Sequence, residues 1–269
     1  MNMNKITLFL CFTLVLGLFT SCKKNGTGVF LFSVQDDVDL GAKVDAEIKS
    51  SGEFTILDRS SNAAAYNYLN TMRDQILAGG AVTFKDEFAW ELNIIDDDST
   101  LNAFCTPGGY IYVYTGLIKY LKNSSSLAGV MGHEMAHADR RHSSSQLQQQ
   151  YGLDILLSLL SSTTGQNGEL LGNVAASLTS LAFSRADEKE ADKYSVDYLC
   201  PTAYDAAGAA RFFEKIGTSS TPAFLSTHPN PENRVANINA DADALTCSED
   251  LENPDVVSGV PYTDFQAMF

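Results

Sequence analysis

The stretch His133-Glu134-Met135-Ala136-His137 spells H-E-x-x-H, and it decides how the rest of the chain is interpreted. Positions four apart on an α-helix differ by only about 40° in direction, so both histidines lie on one helix face. Two imidazoles one turn apart can bind one Zn²⁺, and Glu134 beside them can act as general base toward an attacking water. The motif therefore predicts one zinc ion per chain, although other divalent metals also accept such donors.

A second pair of residues at the same spacing offers the missing ligand. A zinc site that supports hydrolysis has three protein ligands and one open position. Glu188 and Asp192 share one face of a predicted helix, so one carboxylate can bind the metal while the other accepts the second ring N–H of a ligand histidine. From the residues alone, an ordinary solvated charged helix remains the alternative. Glu190 is predicted to face solvent, since it lies about 200° from Glu188.

His142 is a weaker candidate for the metal site. It lies nine residues after His133. On one continuous helix it would point about 180° away from His133. We therefore expect it to face away from the metal and to interact with the helix C-terminus.

The N-terminus has the pattern of an exported protein. Lys5 precedes an apolar run at 6–19 that is too short to span a bilayer, and the sequence Phe19-Thr20-Ser21-Cys22 resembles a bacterial lipobox. We expect residues 1–21 to be a signal peptide, Cys22 to carry a lipid, and 22–33 to be a tether. An Asp directly after the lipidated cysteine retains some lipoproteins in the inner membrane, and here that residue is Lys23. We therefore expect the protein to lie in the periplasm, anchored to the outer membrane. Ordinary cleavage that leaves Cys22 unmodified is the alternative.

Charge and cysteine content limit the function classes. With 18 basic and 33 acidic residues the net charge is −15, which argues against nucleic acid as a partner. After Cys22 the chain contains Cys105, Cys200 and Cys247. In an oxidising compartment Cys200 and Cys247 can pair and leave Cys105 free, but the sequence does not fix this pairing.

Hydrophobic periodicity predicts an α+β protein that is mainly helical. Helices are expected at 35–49, 63–77, 115–121, 125–146, 153–160, 170–183, 185–199, 203–216 and 231–244, and strands at 82–84, 90–95 and 110–114. The two apolar helices at 153–160 and 170–183 are expected to form a hairpin packed on the domain. The tail at 249–269 is predicted to be a surface segment of uncertain order.

Four sequence blocks together resemble a known family. H-E-M-A-H followed by Ser184-Arg185-Ala186-Asp187-Glu188-Lys189-Glu190-Ala191-Asp192 is similar to the HtpX and Oma-type zinc metallopeptidases, relatives of the CAAX prenyl proteases. The segment at 102–113 resembles that family's N-A-F-x-x-P-G-G-x-I-x-V, and the segment at 227–235 resembles its T-H-P-x-x-x-x-R. The blocks cover roughly residues 36–240. The resemblance implies a zincin-like metallopeptidase domain over residues 34–248. A small β-sheet is expected beside its active-site helix.

The resemblance also implies roles for individual residues. Zinc would be held by His133, His137 and Glu188, with Asp192 behind a ligand histidine and Glu134 as general base. His228 would stabilise the oxyanion, bind zinc as a fourth ligand, or only orient its loop. Arg234 would contact substrate or form a buried pair with Asp192 or Glu190.

The expected function is proteolysis in the bacterial cell envelope. The chain resembles the soluble, exported branch of the family, anchored to the membrane by lipid at Cys22 and acting on unfolded or misassembled envelope proteins. The strand Ile111, Tyr112, Val113 and Tyr114 is the predicted docking edge for an extended substrate, with an ordinary core strand as the alternative. The other candidate function is a zinc-binding chaperone or assembly lipoprotein that rarely cuts.

Overall fold

The H-E-x-x-H segment lies on a helix that is buried along its whole length. A computed structural model describes residues 31–162, 167–216, 223–229, 233–245, 247 and 255–269. The predicted signal peptide (1–21) and Cys22 lie outside these described residues, as does most of the predicted tether. Within the described ranges, no helix has the length and apolar character needed to cross a membrane.

The described elements are mostly helices, as predicted. The helices are α1 (Val34–Ser51), α2 (Ala63–Ala78), α3 (Thr115–Tyr120), α4 (Ser124–Asp139), α5 (His142–Tyr151), α6 (Leu153–Ser161), α7 (Gly168–Leu178), α8 (Arg185–Leu199), α9 (Gly208–Ile216), α10 (Ala223–Thr227), α11 (Arg234–Leu245) and α12 (Tyr262–Gln266). The strands are β1 (Glu91–Ile95), β2 (Ala103–Cys105), β3 (Tyr110–Tyr114), β4 (Val256–Val257) and β5 (Val260–Pro261).

β3 is the central strand of the three-stranded sheet. β1 pairs with it in parallel and β2 pairs with it antiparallel. The turn Pro107-Gly108-Gly109 joins β2 to β3, and both glycines have positive φ (73° and 84°), which residues with a Cβ rarely adopt. β2 packs against α4. The predicted small sheet beside the H-E-x-x-H helix is therefore confirmed.

α4 is positioned by a cap and by a glycine contact. Asn123 Oδ1 accepts a hydrogen bond from Ser126 N at 2.8 Å and so begins the helix. Gly129 lets α9 approach the backbone, because a Cβ there would lie 2.0 Å from Ala209 N. On the α8 side, Ser195 Oγ donates to Gly129 O at 2.9 Å. Both neighbouring helices therefore pack directly on the backbone of α4.

The two predicted apolar helices are present, and both pack on α1. α6 and α7 both contact α1, and Leu156, Leu159 and Val174 are buried there. Lys43 of α1 donates from Nζ to the carbonyl oxygens of Leu159 and Ser162, each at 2.9 Å. These bonds satisfy carbonyls at the end of α6 that have no partner within that helix.

The single helix predicted over 125–146 is wrong. α4 ends at Asp139, and a separate helix begins at His142. Arg141 between them has a φ of 63°, a left-handed conformation in which an α-helix does not continue. Its guanidinium is bound by the buried carboxylate of Asp37 in α1. The break thus depends on a contact from far along the chain, which local periodicity does not show.

Two further predicted elements differ from the structure. Residues 82–84 form turns rather than a strand, and Phe84 N donates to Asp139 Oδ1 at 2.8 Å instead of joining a ladder. The helix predicted from residue 203 begins only at Gly208, after the turn in which Ala207 N donates to Asp205 Oδ1 at 2.9 Å.

The C-terminal residues contribute to the core. The prediction of a surface segment is wrong for residues 255–269, because Tyr262 and Phe265 are buried. Phe265 stacks on Tyr68 of α2 with ring centroids 4.0 Å apart. A disulfide joins Cys200 to Cys247, which is the pairing that the sequence left open.

Candidate metal centre

Four buried side chains each direct one possible ligand atom toward a common point. They are His133, His137, Glu188 and His228. His133 Nε2 lies 3.1 Å from His137 Nε2 and 3.4 Å from Glu188 Oε2. His228 Nδ1 lies 3.4 Å from His133 Nε2 and 3.0 Å from Glu188 Oε1. A tetrahedral zinc ion with bonds of about 2.0–2.1 Å has ligand-to-ligand edges of roughly 3.3 Å, so the donor set and its spacing fit zinc.

Three of these residues come from two helices that pack along each other. α4 supplies His133 and His137, and α8 supplies Glu188. α8 begins with a capping box in which Asp187 N donates to Ser184 Oγ at 3.2 Å and Ser184 N donates to Asp187 Oδ2 at 3.1 Å. This cap fixes the first turn of α8, where Glu188 lies.

His228 reaches the cluster from the end of α10. Its backbone N donates to Phe224 O at 2.7 Å, and its ring stacks on Phe224 with centroids 4.2 Å apart. Nδ1 then faces the ligand cluster, while Nε2 lies 3.5 Å from Glu134 Oε1. Of the three roles predicted for His228, this geometry matches that of a fourth ligand.

Glu134 lies beside the cluster with one oxygen available. It is 1% exposed, and within the described residues its Oε1 accepts no hydrogen bond. It lines a small cavity together with Phe104, Cys105 and His228. Burial raises the pKa of the Glu134 carboxyl. Such a carboxylate next to a metal site can accept and return a proton.

Arg234 and Asp192 support the ligands from behind. Asp192 Oδ1 lies 3.0 Å from His133 Nδ1, the nitrogen that faces away from the cluster. Arg234 NH2 is 2.6 Å from Asp192 Oδ1 and 2.9 Å from Glu188 Oε2. Its guanidinium lies over the ring of Phe213, 3.5 Å from the centroid. Of the partners predicted for Arg234, the structure shows Asp192, and it adds Glu188.

The pKa shifts show how burial and neighbouring charges act on the members of the cluster. Burial lowers the pKa of His137, which keeps that imidazole neutral. Burial also acts to lower the pKa of His133, but hydrogen bonds to Asp192 and Glu188 raise it to about 9. For Glu188, burial acts to raise the pKa, yet His228, His133 and His137 together lower it. Glu188 is therefore ionised and supplies an anionic donor.

The predicted orientation of His142 is wrong. Because α5 starts anew after Arg141, His142 turns toward the site, and its Nδ1 lies 3.1 Å from Nδ1 of His137. Glu190, predicted to face solvent, is only partly exposed. It lies 3.6 Å from His142 Nε2 and accepts a hydrogen bond from Arg140 Nε at 3.0 Å. The contact with His142 is the largest cause that lowers the pKa of Glu190 to about 2.

The predicted docking edge on β3 is also wrong. Ile111, Tyr112, Val113 and Tyr114 lie in the middle of the sheet with a strand on each side, and all four are buried. Tyr112 donates from its hydroxyl to Asp45 Oδ1 at 2.7 Å. β3 is therefore a core strand, the alternative left open by the sequence, and the sheet edge at the metal centre belongs to β2.

Phe183 closes the site and was not identified from the sequence. Its ring stacks on His137 with centroids 3.8 Å apart, and its N donates to Thr227 O at 3.1 Å. The available signal was its position directly before the Ser184 cap, which places it next to a ligand helix. With Phe183 in place, His133 and His137 are fully buried, so the site is closed to a polypeptide.

Comparison with known proteins agrees with this geometry. Mitochondrial metalloendopeptidase OMA1 of Arabidopsis thaliana is 29% identical over 225 residues, which is 80% of this chain and 46% of that protein. Beta-barrel assembly-enhancing protease of Yersinia pestis is 27% identical over 225 residues, or 74% of this chain and 45% of that protein. Metalloprotease YcaL of Escherichia coli is 29% identical over 147 residues, or 52% of this chain and 58% of that protein.

The chain spans slightly less than half of the length of the OMA1 and beta-barrel assembly-enhancing relatives. A sequence model described as Peptidase family M48 matches residues 63–242, which contain α2 through most of α11 and all four possible ligands. The resemblance noted in the sequence is thereby confirmed over most of the chain. On the strength of this match, and of a buried donor set that fits zinc, the chain belongs to peptidase family M48.

Proposed function

We propose that this protein is a zinc metalloendopeptidase of the bacterial cell envelope that cuts unfolded or misassembled proteins. One observation carries the proposal: the buried carboxylate of Glu134, whose Oε1 accepts no hydrogen bond, lies directly beside four side chains that fit a zinc ion. A site that only binds a metal has no chemical need for such a carboxylate. Relatives described as metalloendopeptidase or protease support the same function.

Each side chain of the site has its own role in hydrolysis of the peptide bond. His133, His137 and Glu188 would hold the zinc, which would supply a Lewis acid for the scissile carbonyl and for the attacking water. Glu134 takes the proton from the attacking water and delivers it to the leaving amine. Asp192 fixes the ring of His133 by accepting its Nδ1–H. Arg234 balances the charge of the two carboxylates beside it.

His228 keeps the described conformation inactive. Its Nδ1 lies where a fourth donor would be, so the position needed by water is filled. Phe183 covers the same face of the site. Cutting therefore requires His228 and Phe183 to move, and the protein is self-inhibited until a substrate or partner opens it.

β2 is the edge on which an extended substrate docks. Asn102 and Thr106 form backbone hydrogen bonds with β3. Because backbone groups point alternately to either side along a strand, those of Ala103 and Cys105 point away from β3. Cys105 also lines the cavity that contains Glu134. Pairing with backbone groups makes few demands on side chains and favours unfolded chains over particular sequences.

The envelope role and the lipid anchor rest on the sequence. The segment 1–21 has the pattern of a signal peptide and Cys22 that of a lipidation site, and both support a location in the periplasm at the outer membrane. The relative from Yersinia pestis is described as a beta-barrel assembly-enhancing protease. The acidic charge makes nucleic acid an unsuitable partner.

The function is tested by incubating the zinc-loaded full chain with one protein in its unfolded and in its folded form. We expect fragments only from the unfolded form, loss of cutting with a chelator, and recovery on adding zinc. Stable capture of the unfolded protein without fragments, by the wild type and by His228→Ala alike, would instead establish the chaperone alternative.

Self-inhibition is tested separately with His228→Ala and a short unstructured peptide. If His228 fills the fourth position, the variant cuts faster than the wild type. A decrease of about 10²–10³-fold in kcat would show instead that His228 stabilises the oxyanion.

A further inference from the structure

All four histidines of the chain lie at the metal centre, but only three of them can supply a ligand atom to the cluster. The fourth, His142, is 4% exposed, and its Nδ1 lies 3.1 Å from Nδ1 of His137. That nitrogen of His137 faces away from the cluster, because its Nε2 lies 3.1 Å from His133 Nε2 and 3.4 Å from Glu188 Oε1. His142 therefore contacts the outer side of a ligand.

The metal fixes the direction of this hydrogen bond. A neutral imidazole that binds zinc through Nε2 carries its proton on Nδ1. His137 is thus the donor and His142 Nδ1 the acceptor. His142 must then carry its own proton on Nε2.

His142 Nε2 faces two carboxylates. It lies 3.6 Å from Glu190 Oε2 and 3.9 Å from Asp187 Oδ1, and it has no closer partner among the described residues. Glu190 is in turn held by Arg140 Nε at 3.0 Å. The contacts thus form a chain from Arg140 through Glu190 and His142 to His137.

The two ligand histidines on α4 are consequently supported in different ways. His133 Nδ1 has a carboxylate, Asp192, directly beside it at 3.0 Å. His137 has an imidazole in that place, and the carboxylate lies one ring further out. Partners on the outer nitrogen fix the tautomer and orientation of a ligand histidine.

We propose that His142, supported by Glu190, is a positioning residue that holds His137 in its metal-binding tautomer and orientation. The left-handed residue Arg141 makes this possible, because an uninterrupted helix would direct His142 about 140° away from His137. Phe183, stacked on His137, keeps water away from the pair, and a hydrogen bond is stronger in such a dry environment. The inference rests on the proposed role of His137 as a zinc ligand but not on proteolysis.

The test compares two substitutions of nearly equal size and shape, His142→Asn and His142→Leu. The Asn amide oxygen takes the place of His142 Nδ1 as an acceptor, while Leu offers none. The affinity of the full chain for zinc is measured by competition with a chromophoric chelator, and the melting temperature of the metal-free protein reports folding separately. No substrate is needed.

We expect His142→Leu to bind zinc about 10–100-fold more weakly than the wild type, and His142→Asn to recover most of that loss. Equal affinity in all three proteins overturns the proposal. An equal loss in both variants also overturns it, since packing rather than the acceptor would then matter. Absence of zinc binding by the wild type would contradict the proposed function itself, which keeps the two failures distinguishable.

Two further measurements apply even where His142→Leu does not fold. Glu190→Gln keeps the shape of the side chain and removes its charge, and we expect it to weaken zinc binding by up to about tenfold. Unchanged affinity in this variant overturns the role of Glu190. Nitrogen NMR of the zinc-loaded wild type should find His142 protonated on Nε2, and a proton on its Nδ1 instead would overturn the proposal.

Discussion

Arg234 is a single residue on which the charge balance of the metal centre depends. It is 2% exposed and lies within 3 Å of both Glu188 and Asp192. Removing a buried cation leaves its partners as uncompensated buried charges, which is more costly than losing an exposed ion pair.

We expect Arg234→Met to lower the free energy of unfolding by about 3–5 kcal/mol. The measurement is denaturant unfolding of the chelator-treated protein. Lys193→Met is the control, because Lys193 forms an exposed helical pair with Asp197 and should contribute less than about 1 kcal/mol. Equal losses in the two variants would contradict the account of Arg234.

At the scale of residues, spacing on one helix identified the two histidines and Glu134 of the candidate site. His133 and His137 share a helix face, and the family resemblance identified Glu188 and Asp192 on another. His142 was misplaced because its direction depends on a helix break, and that break requires Asp37 of α1 to bind Arg141. Spacing describes neighbours on one element, and it carries no information about such distant contacts.

At the scale of elements, the site depends on how closely α8 and α9 approach α4. Gly129 permits the closest contact, since a Cβ there would meet the backbone of Ala209 at 2.0 Å. The obstacle is backbone rather than a side-chain end, so α9 would have to move away from α4.

Gly129→Ala is therefore expected to lower the free energy of unfolding by about 1–3 kcal/mol. Gly172→Ala on α7 is the control, because its Cβ would make only an ordinary contact at 3.5 Å with Glu47 Oε1. The control should be neutral or stabilising by up to about 1 kcal/mol, since Ala favours helix. Denaturant unfolding compares the two, and a stable Gly129→Ala protein would show that the helices are not tightly packed there.

The sheet shows what local pattern cannot supply. The prediction of a strand at 110–114 is confirmed, but local periodicity does not distinguish a central strand from an edge strand. Strand order depends on which partners lie on each side, and here β1 and β2 both pair with β3. β2, and not β3, is therefore an edge strand of this sheet.

At the scale of the whole molecule, the disulfide joins two segments that are far apart in the sequence. Cys200 follows α8, and Cys247 follows α11, which carries Arg234. The sequence separation is 47 residues. Closing a loop of that length removes conformational freedom mainly from the unfolded chain.

Replacing Cys200 and Cys247 together by serine should lower the free energy of unfolding by about 2–4 kcal/mol. A reducing agent should have the same effect on the wild type and none on the double variant. Cys105→Ala should keep the response to reductant, because Cys105 is free. No response in the wild type would mean that the disulfide does not form.

Because several tyrosines are buried, we expect the free energy of unfolding to fall at alkaline pH. Burial raises the pKa of Tyr114 to about 12 and also raises the pKa values of Tyr112 and Tyr198. Below about pH 10 these residues are protonated in both states and contribute no pH dependence. Above it the unfolded chain releases protons that the folded protein retains, so unfolding becomes more favourable by about 1.4 kcal/mol per tyrosine per pH unit.

The check is denaturant unfolding between about pH 9 and 12, with tyrosinate absorbance followed in the folded protein. Tyr114→Phe should reduce the slope by the contribution of one group. Tyrosines that titrate in the folded protein near pH 10, as in water, would contradict the predicted burial.

The order of the helices could be predicted from the sequence because most of them follow local periodicity. The packing of the C-terminal residues could not, since Tyr262 and Phe265 are covered only when α2 brings Tyr68 against them. A short polar segment with a few aromatic residues has no local signature of burial.

The central claim, a zinc site served by Glu134 as general base, is tested most directly by Glu134→Gln. Zinc content and cleavage of an unfolded protein are measured on the same preparations of variant and wild type. We predict one zinc ion per chain in both proteins and a rate of cutting at least about 10²-fold lower in the variant. A variant that binds zinc and cuts as fast as the wild type would contradict the account.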